Sequence, residues 1–161
     1  NAAGAASAGG IGEDHSPETH LIPLVLEVAL GQREQIMVFG DDYETRDGTC
    51  IRDYIHVDDL GDAHLRALSH LQAGRGDLEC HLGTGNGFTV MEIIQAAREI
   101  TGHAIPAEVV ARREGDPAML VAGGSRAFDV LGWKPARGDV RDVIRDAWAF
   151  HSANPRGYSA S

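Results

Sequence analysis

Lysine is nearly absent from this chain: Lys134 stands alone, and the other 13 of its 14 basic side chains are arginine. That shortage excludes a P-loop, which needs Gly-Lys-Ser/Thr to hold nucleotide phosphates. It also excludes a Tyr-x-x-x-Lys pair. The residues four places after Tyr43 and Tyr54 are Asp47 and Asp58, so no ammonium group is placed to lower a tyrosine's pKa. Cysteine is scarce too. Cys50 and Cys80 are too few for a disulfide scaffold and read as free thiols of a reducing compartment. No apolar run approaches the ~20 residues that span a bilayer, and no charged segment precedes an apolar stretch at the N-terminus. The expected address is cytoplasmic. Positive charge is short overall: 14 basic against 24 acidic side chains leave a formal net charge of -10, which disfavours nucleic acid and membrane surfaces as partners. Any bound anion must be held by arginines placed locally, and arginine grips phosphate through a planar fork that lysine lacks.

What is present has an ordinary soluble balance, 43% hydrophobic and 24% charged, in a length suited to one domain with a real core. Residues 2–12, mostly alanine, glycine and serine, read as a flexible loop. A helix is expected from Thr19 or His20 to Ala29, with Gly31 at its C-terminal cap. Residues 36–39 read as a short strand and 40–48 as a polar loop. Asp58 is expected to cap a second helix with an apolar face of Leu60, Ala63, Ala67, Leu68 and Leu71. Residues 79–82 and 107–110 read as strands. Between them, Thr89-Val90-Met91-Glu92 is a capping box that opens a helix through Ile93, Ile94 and Ala97. Ser125 is expected to cap a brief helix ending at Leu131-Gly132-Trp133. A last amphipathic helix, 140–151, turns Val143, Ile144, Ala147 and Trp148 to a core. Short strands alternating with helices make an α/β chain that completes a larger sheet instead of owning one.

The motifs divide sharply by content. Leu82-Gly83-Thr84-Gly85-Asn86-Gly87 is spaced G-x-G-x-G, not G-x-G-x-x-G, and a tight turn explains it better than a dinucleotide loop. The eight histidines, His15, His20, His64 and His70 among them, lack ligand spacing and read as dispersed surface and core residues, so no metal is expected. Ser7, Ser16 and Ser69 lack the G-x-S-x-G elbow of a hydrolase. Arg52, within Arg52-Asp53-Tyr54-Ile55-His56-Val57-Asp58-Asp59-Leu60, and Arg113, within Arg112-Arg113-Glu114-Gly115-Asp116, are the sharper case. Two converging guanidinium groups would hold a diphosphate, and Asp116 would accept from ribose hydroxyls. The competing reading is a solvated surface network, with Arg52 paired to Asp53 or Asp58 and Arg113 to Glu114.

These blocks, with Phe39-Gly40-Asp41-Asp42-Tyr43, Asp47-Gly48-Thr49-Cys50-Ile51, Leu131-Gly132-Trp133 and Asn154-Pro155-Arg156-Gly157-Tyr158, resemble the UDP-glucose 4-epimerases over almost the whole chain. The resemblance covers the C-terminal half of that family. It implies an extended short-chain dehydrogenase fold of Rossmann type, whose N-terminal half binds NAD and whose C-terminal part, here residues 1–161 as a single incomplete domain, binds the UDP-sugar. The implied chemistry interconverts UDP-glucose and UDP-galactose through a 4-keto intermediate. The implied base belongs to the absent half, so this chain carries no catalytic residue and is expected to be inactive alone.

By the same resemblance Asn1, Arg52 and Arg113 contact the diphosphate, Leu21 and Phe39 pack around the uridine, and Asp116 holds the ribose. His20 stands where the family usually has asparagine, and Leu120 occupies a gate position. Gly123-Gly124 replaces a more polar stretch. Implied partners are the UDP-sugar, the N-terminal half and a second copy of the intact protein. The alternatives are another nucleotide-sugar enzyme, such as a UDP-glucuronate decarboxylase or a dehydratase, and a non-catalytic module that binds a UDP-sugar or a partner chain.

Overall fold

A computed structural model describes residues 1–158. The main core is built by three helices: α1 (Leu21–Ala29), α3 (Val90–Thr101) and α5 (Val140–Ala153). Val25, Leu26, Ile93, Ile94, Val143 and Ile144 recur at helical spacing and are fully buried between them. Strand β2 (Ile36–Phe39) lies against this core through Ile36 and Val38. It pairs in parallel with β6 (Ala107–Val110), from Ile36 opposite Ala107 to Phe39 opposite Val110. A second cluster of Ile55, Ala63, Ala127 and Trp133 joins α2 (Val57–Gln72) to α4 (Ser125–Leu131).

The helix ends follow local chemistry. Thr89 Oγ1 accepts from Glu92 N at 3.0 Å while Glu92 Oε2 accepts from Thr89 N at 2.9 Å, the reciprocal box expected from the sequence. Gly31, with φ 73°, sits just past α1 as expected. Two cap assignments need correction. The N-cap of α2 is His56, whose Nδ1 accepts from Asp58 N at 3.1 Å. Asp58 is already inside the helix, and its carboxylate accepts from Ser7 N and Ser7 Oγ. Ser125 is the first residue of α4 and not its cap; Gly124 precedes it with no side chain to offer.

Strand placement also departs from expectation. Residues 2–12 are not wholly loop, because β1 (Ala2–Ala3) pairs in parallel with β4 (Ile55–His56), and Ala3, Gly4 and Ala5 are buried. Segment 51–56, which the sequence assigned to no element, supplies β3 (Ile51–Asp53) and β4. Strand β3 is central to a three-stranded sheet. It is antiparallel to β5 (Gly87–Thr89) on one side and parallel to β7 (Met119–Leu120) on the other. Residues 79–82 form no strand, since no neighbouring strand among the described residues offers them a ladder.

The glycine run is a packing device. A methyl group on Gly83 would lie 2.5 Å from Asp53 Oδ2 and 2.6 Å from Ala122 Cβ, and one on Gly87 would lie 2.4 Å from Ile51 Cγ2. Only Gly85, with φ 73°, needs the left-handed region. The run leads into β5, not directly into a helix.

Candidate functional site

Parallel pairing of β2 and β6 brings their C-terminal ends side by side, with Gly40 N donating to Val110 O at 2.9 Å. The chain leaving β6 therefore passes over the end of β2. Arg112 crosses Gly40, lies 4.0 Å above the Tyr43 ring and pairs with Asp42. Arg113 turns the other way and rests 3.8 Å above the Phe39 ring. Among the described residues Arg113 makes no salt bridge, and the competing surface pairing with Glu114 is not seen. A guanidinium seated over an aromatic face is held in place while its N–H groups stay available.

Arg52 sits mid-strand in β3 and points away from Ile51 and Asp53, as pleating requires. Its Nη1 donates to Pro117 O at 2.9 Å and its Nη2 to Asp116 Oδ1 at 2.6 Å. The competing sequence reading, a pairing with Asp53 or Asp58, is thus replaced by a partner 64 residues further on. Asp53 is buried on the opposite face of β3. Its carboxylate accepts from Thr84 Oγ1 at 3.2 Å and Ala122 N at 3.1 Å, and its carbonyl accepts from Asn1 Nδ2 at 2.8 Å.

A single cleft of about 240 Å³ gathers Asn1, His20, Leu21, Phe39, Arg52, Arg113 and Asp116 on its walls. These are seven of the eight residues singled out in the sequence. The eighth, Leu120, lies outside it: exposed on β7, it borders an adjoining depression that shares Asn1 and Arg52. Asp116 keeps one oxygen on Arg52 and has the other 4.0 Å from Cys50 Sγ. His20 turns Nδ1 to within 2.8 Å of both Glu13 and Glu18.

The sequence reading missed Cys50, Tyr54 and Glu13, which also line the cleft. Cys50, Arg52 and Tyr54 alternate along one face of the β3 segment, a period-two signal too short to stand out in the sequence. Burial pushes the Tyr54 hydroxyl up to about 12, so it stays protonated at neutral pH. Burial and, next, the neighbouring Glu18 charge raise the Glu13 carboxyl. The histidine reading also needs revision, because His15 and His20 are not dispersed: with Glu18 they form one cluster.

The sequence profile of the NAD dependent epimerase/dehydratase family matches residues 5–82. The UDP-glucose 4-epimerase of Streptococcus mutans is 55% identical over 98% of this chain, which covers 47% of that protein. A crystal structure of a UDP-glucose 4-epimerase superposes with a TM-score of 0.95 at 60% identity, over 99% of this chain and 49% of that one. The homologues of this chain are UDP-glucose 4-epimerases. A further epimerase, from Stenotrophomonas maltophila, carries bound NAD and formylated UDP-arabinopyranose; it matches at 43% identity with a TM-score of 0.92, over 97% of this chain and 46% of its own. The chain spans about half the length of the curated epimerases it matches. Its α/β, Rossmann-like fold is that of the epimerase structures.

The family's cofactor can be tested against the residues present. A dinucleotide loop needs glycines that open space for a pyrophosphate at a helix N-terminus. Here Gly83 and Gly87 are closed over by Asp53, Ala122 and Ile51, and the first turn of α3 is capped by Thr89 and Glu92. This loop does not fit NAD.

Proposed function

We propose that this chain is the C-terminal, UDP-sugar-binding half of a UDP-glucose 4-epimerase, with residues 1–161 forming one incomplete domain. The observation that carries the reading is the convergence of Arg52 and Arg113, 61 positions apart in sequence, on one cleft with Asp116 between them in character. The two guanidinium groups hold the diphosphate, Asp116 accepts from the ribose, and Phe39 and Leu21 flank the base. Asn1 and His20 line the same cleft. Leu120, in the adjoining depression, borders the sugar. These residues bind and orient substrate; none is assigned acid–base or hydride chemistry.

In the intact enzyme the other half supplies NAD and the catalytic base, and UDP-glucose and UDP-galactose interconvert. We place that enzyme in the cytoplasm, in galactose metabolism, and as a homodimer. The free thiols Cys50 and Cys80 suit a reducing compartment. No helix among the described residues is long and apolar enough to cross a membrane. This chain alone inverts no sugar.

Calorimetric titration with UDP-glucose tests the reading. Saturable binding is expected, and Arg113→Ala should weaken it by about ten- to a hundredfold, the value of a charge-assisted hydrogen bond in a partly desolvated site. Arg66→Ala, on the exposed face of α2 where Arg66 pairs with Asp62, should leave affinity unchanged. Equal affinity of the Arg113→Ala and unchanged chains would overturn the assignment.

A further inference from the structure

The loop before α1 carries His15, Glu18 and His20, and one donor atom from each lies within 4.8 Å of the other two. Glu18 is fixed in place: its side chain is only 9% exposed, and its Oε1 accepts from Thr19 N at 2.6 Å and His20 N at 2.7 Å. Both imidazoles turn Nδ1 toward that same oxygen, at 2.8 Å from His20 and 3.9 Å from His15. Their rings stand 5.3 Å apart.

Protons alone satisfy this arrangement poorly. His20 Nδ1 faces carboxylate oxygens of Glu18 and Glu13, each at 2.8 Å, and a single N–H can be directed at only one of them. The 3.9 Å separation at His15 is too long for a hydrogen bond. A cation among the donors would take one lone pair from each imidazole and one from Glu18. Bonds of ~2.0–2.1 Å in a tetrahedral shell put ligand atoms about 3.3 Å apart, a value that the observed 2.8 Å and 3.9 Å bracket. Two imidazoles and a carboxylate suit zinc-class metals, whereas magnesium and calcium favour oxygen-only shells.

We propose that His15, Glu18 and His20 form a binding site for one divalent transition-metal ion, with Glu13 alongside as the second carboxylate that balances its charge. His20 and Glu13 also line the cleft that holds Arg52 and Arg113, so the ion sits at the rim of that cleft. Nothing in this assignment depends on what the cleft binds.

The test uses the full chain, stripped with a chelator and titrated with Zn2+ by calorimetry and with Co2+ by visible absorption. One equivalent should bind, with the intense visible band of low-coordinate cobalt, and Mg2+ should not compete. His15→Ala should weaken binding at least about tenfold, and His15→Ala with His20→Ala should abolish it. His64→Ala with His70→Ala should bind as the unchanged chain does. Both His15 and His20 are about half exposed, so the core survives these changes, and circular dichroism verifies it. Zn2+ should also shield these two histidines from acylation. Absence of saturable binding, or binding undiminished in the His15/His20 double variant, would show that the cluster is only a hydrogen-bonded loop brace.

Discussion

Arg112 and Arg113 are chemically identical neighbours, yet the backbone over Gly40 sends one to Tyr43 and Asp42 and the other to Phe39. Sequence spacing cannot separate such a pair; parallel strand register does. Asp53 shows the same dependence on context. In the sequence it is one more acid beside Arg52, whereas in the fold its carboxylate ties the glycine run to Ala122 and its carbonyl holds Asn1. Replacing it with alanine removes the acceptor for Ala122 N in a part-buried position. Asp53→Ala should therefore cost about 1–3 kcal/mol in denaturant unfolding. It should also weaken UDP-glucose binding, since Asn1 and Arg52 flank it. Unchanged stability would remove Asp53 from this role.

Among the elements, those with enough length to show a period were legible. Helices α1, α3 and α5 and strands β2 and β6 follow the apolar spacing and punctuation of the sequence. The two- and three-residue strands were not, because β1, β3, β4, β5 and β7 are defined by distant partners and not by their own pattern. Residues 79–82 fail for the converse reason: a segment read as a strand has no ladder to join among the described residues. The capping box of α3 is the strongest local signal, and it is joined to Asp47. Thr89 is fully buried, so Thr89→Val should lower the melting temperature by roughly 2–8 °C.

Asp47 gives this region its pH dependence. Burial pushes its carboxyl up, but hydrogen bonds from Thr89 and from Thr49 outweigh it and hold the carboxyl below its ordinary 3.8. A depressed folded-state value stabilises the native chain above 3.8 and is lost as pH falls through the lowered value. Thermal melts between pH 6 and pH 3 should fall more steeply for the unchanged chain than for Asp47→Asn at the acid end. Parallel curves would count against the linkage.

For the molecule as a whole, one surface is conspicuously apolar. Leu65, Leu68 and Leu71 on α2 are 66%, 51% and 51% exposed, and Phe128 on α4 is 58% exposed. The sequence placed Leu68 and Leu71 on the apolar face of this helix, and within this chain nothing among the described residues covers them. Such a face suits the proposed other half of the enzyme. Alone, the chain should associate as its concentration rises. Its net charge of -10 resists that, so association should strengthen as salt increases from ~10 to ~150 mM and screening tightens. Sedimentation that stays monomeric across both variables would argue against a docking face. The cleft was legible differently. Its residues are scattered from Asn1 to Asp116, and resemblance to a family gathered what local pattern could not. Cys50 and Tyr54 escaped because their strand did.

Arg113 seated 3.8 Å over the Phe39 ring sets a limit on what may replace it. A lysine would bring the same charge to the same place, but a rounded ammonium on a flexible stem has no plane to match the ring and no fork to present beyond it. Position 113 should then distinguish shape from charge: the conservative-looking exchange ought to be felt nearly as sharply as losing the cation altogether.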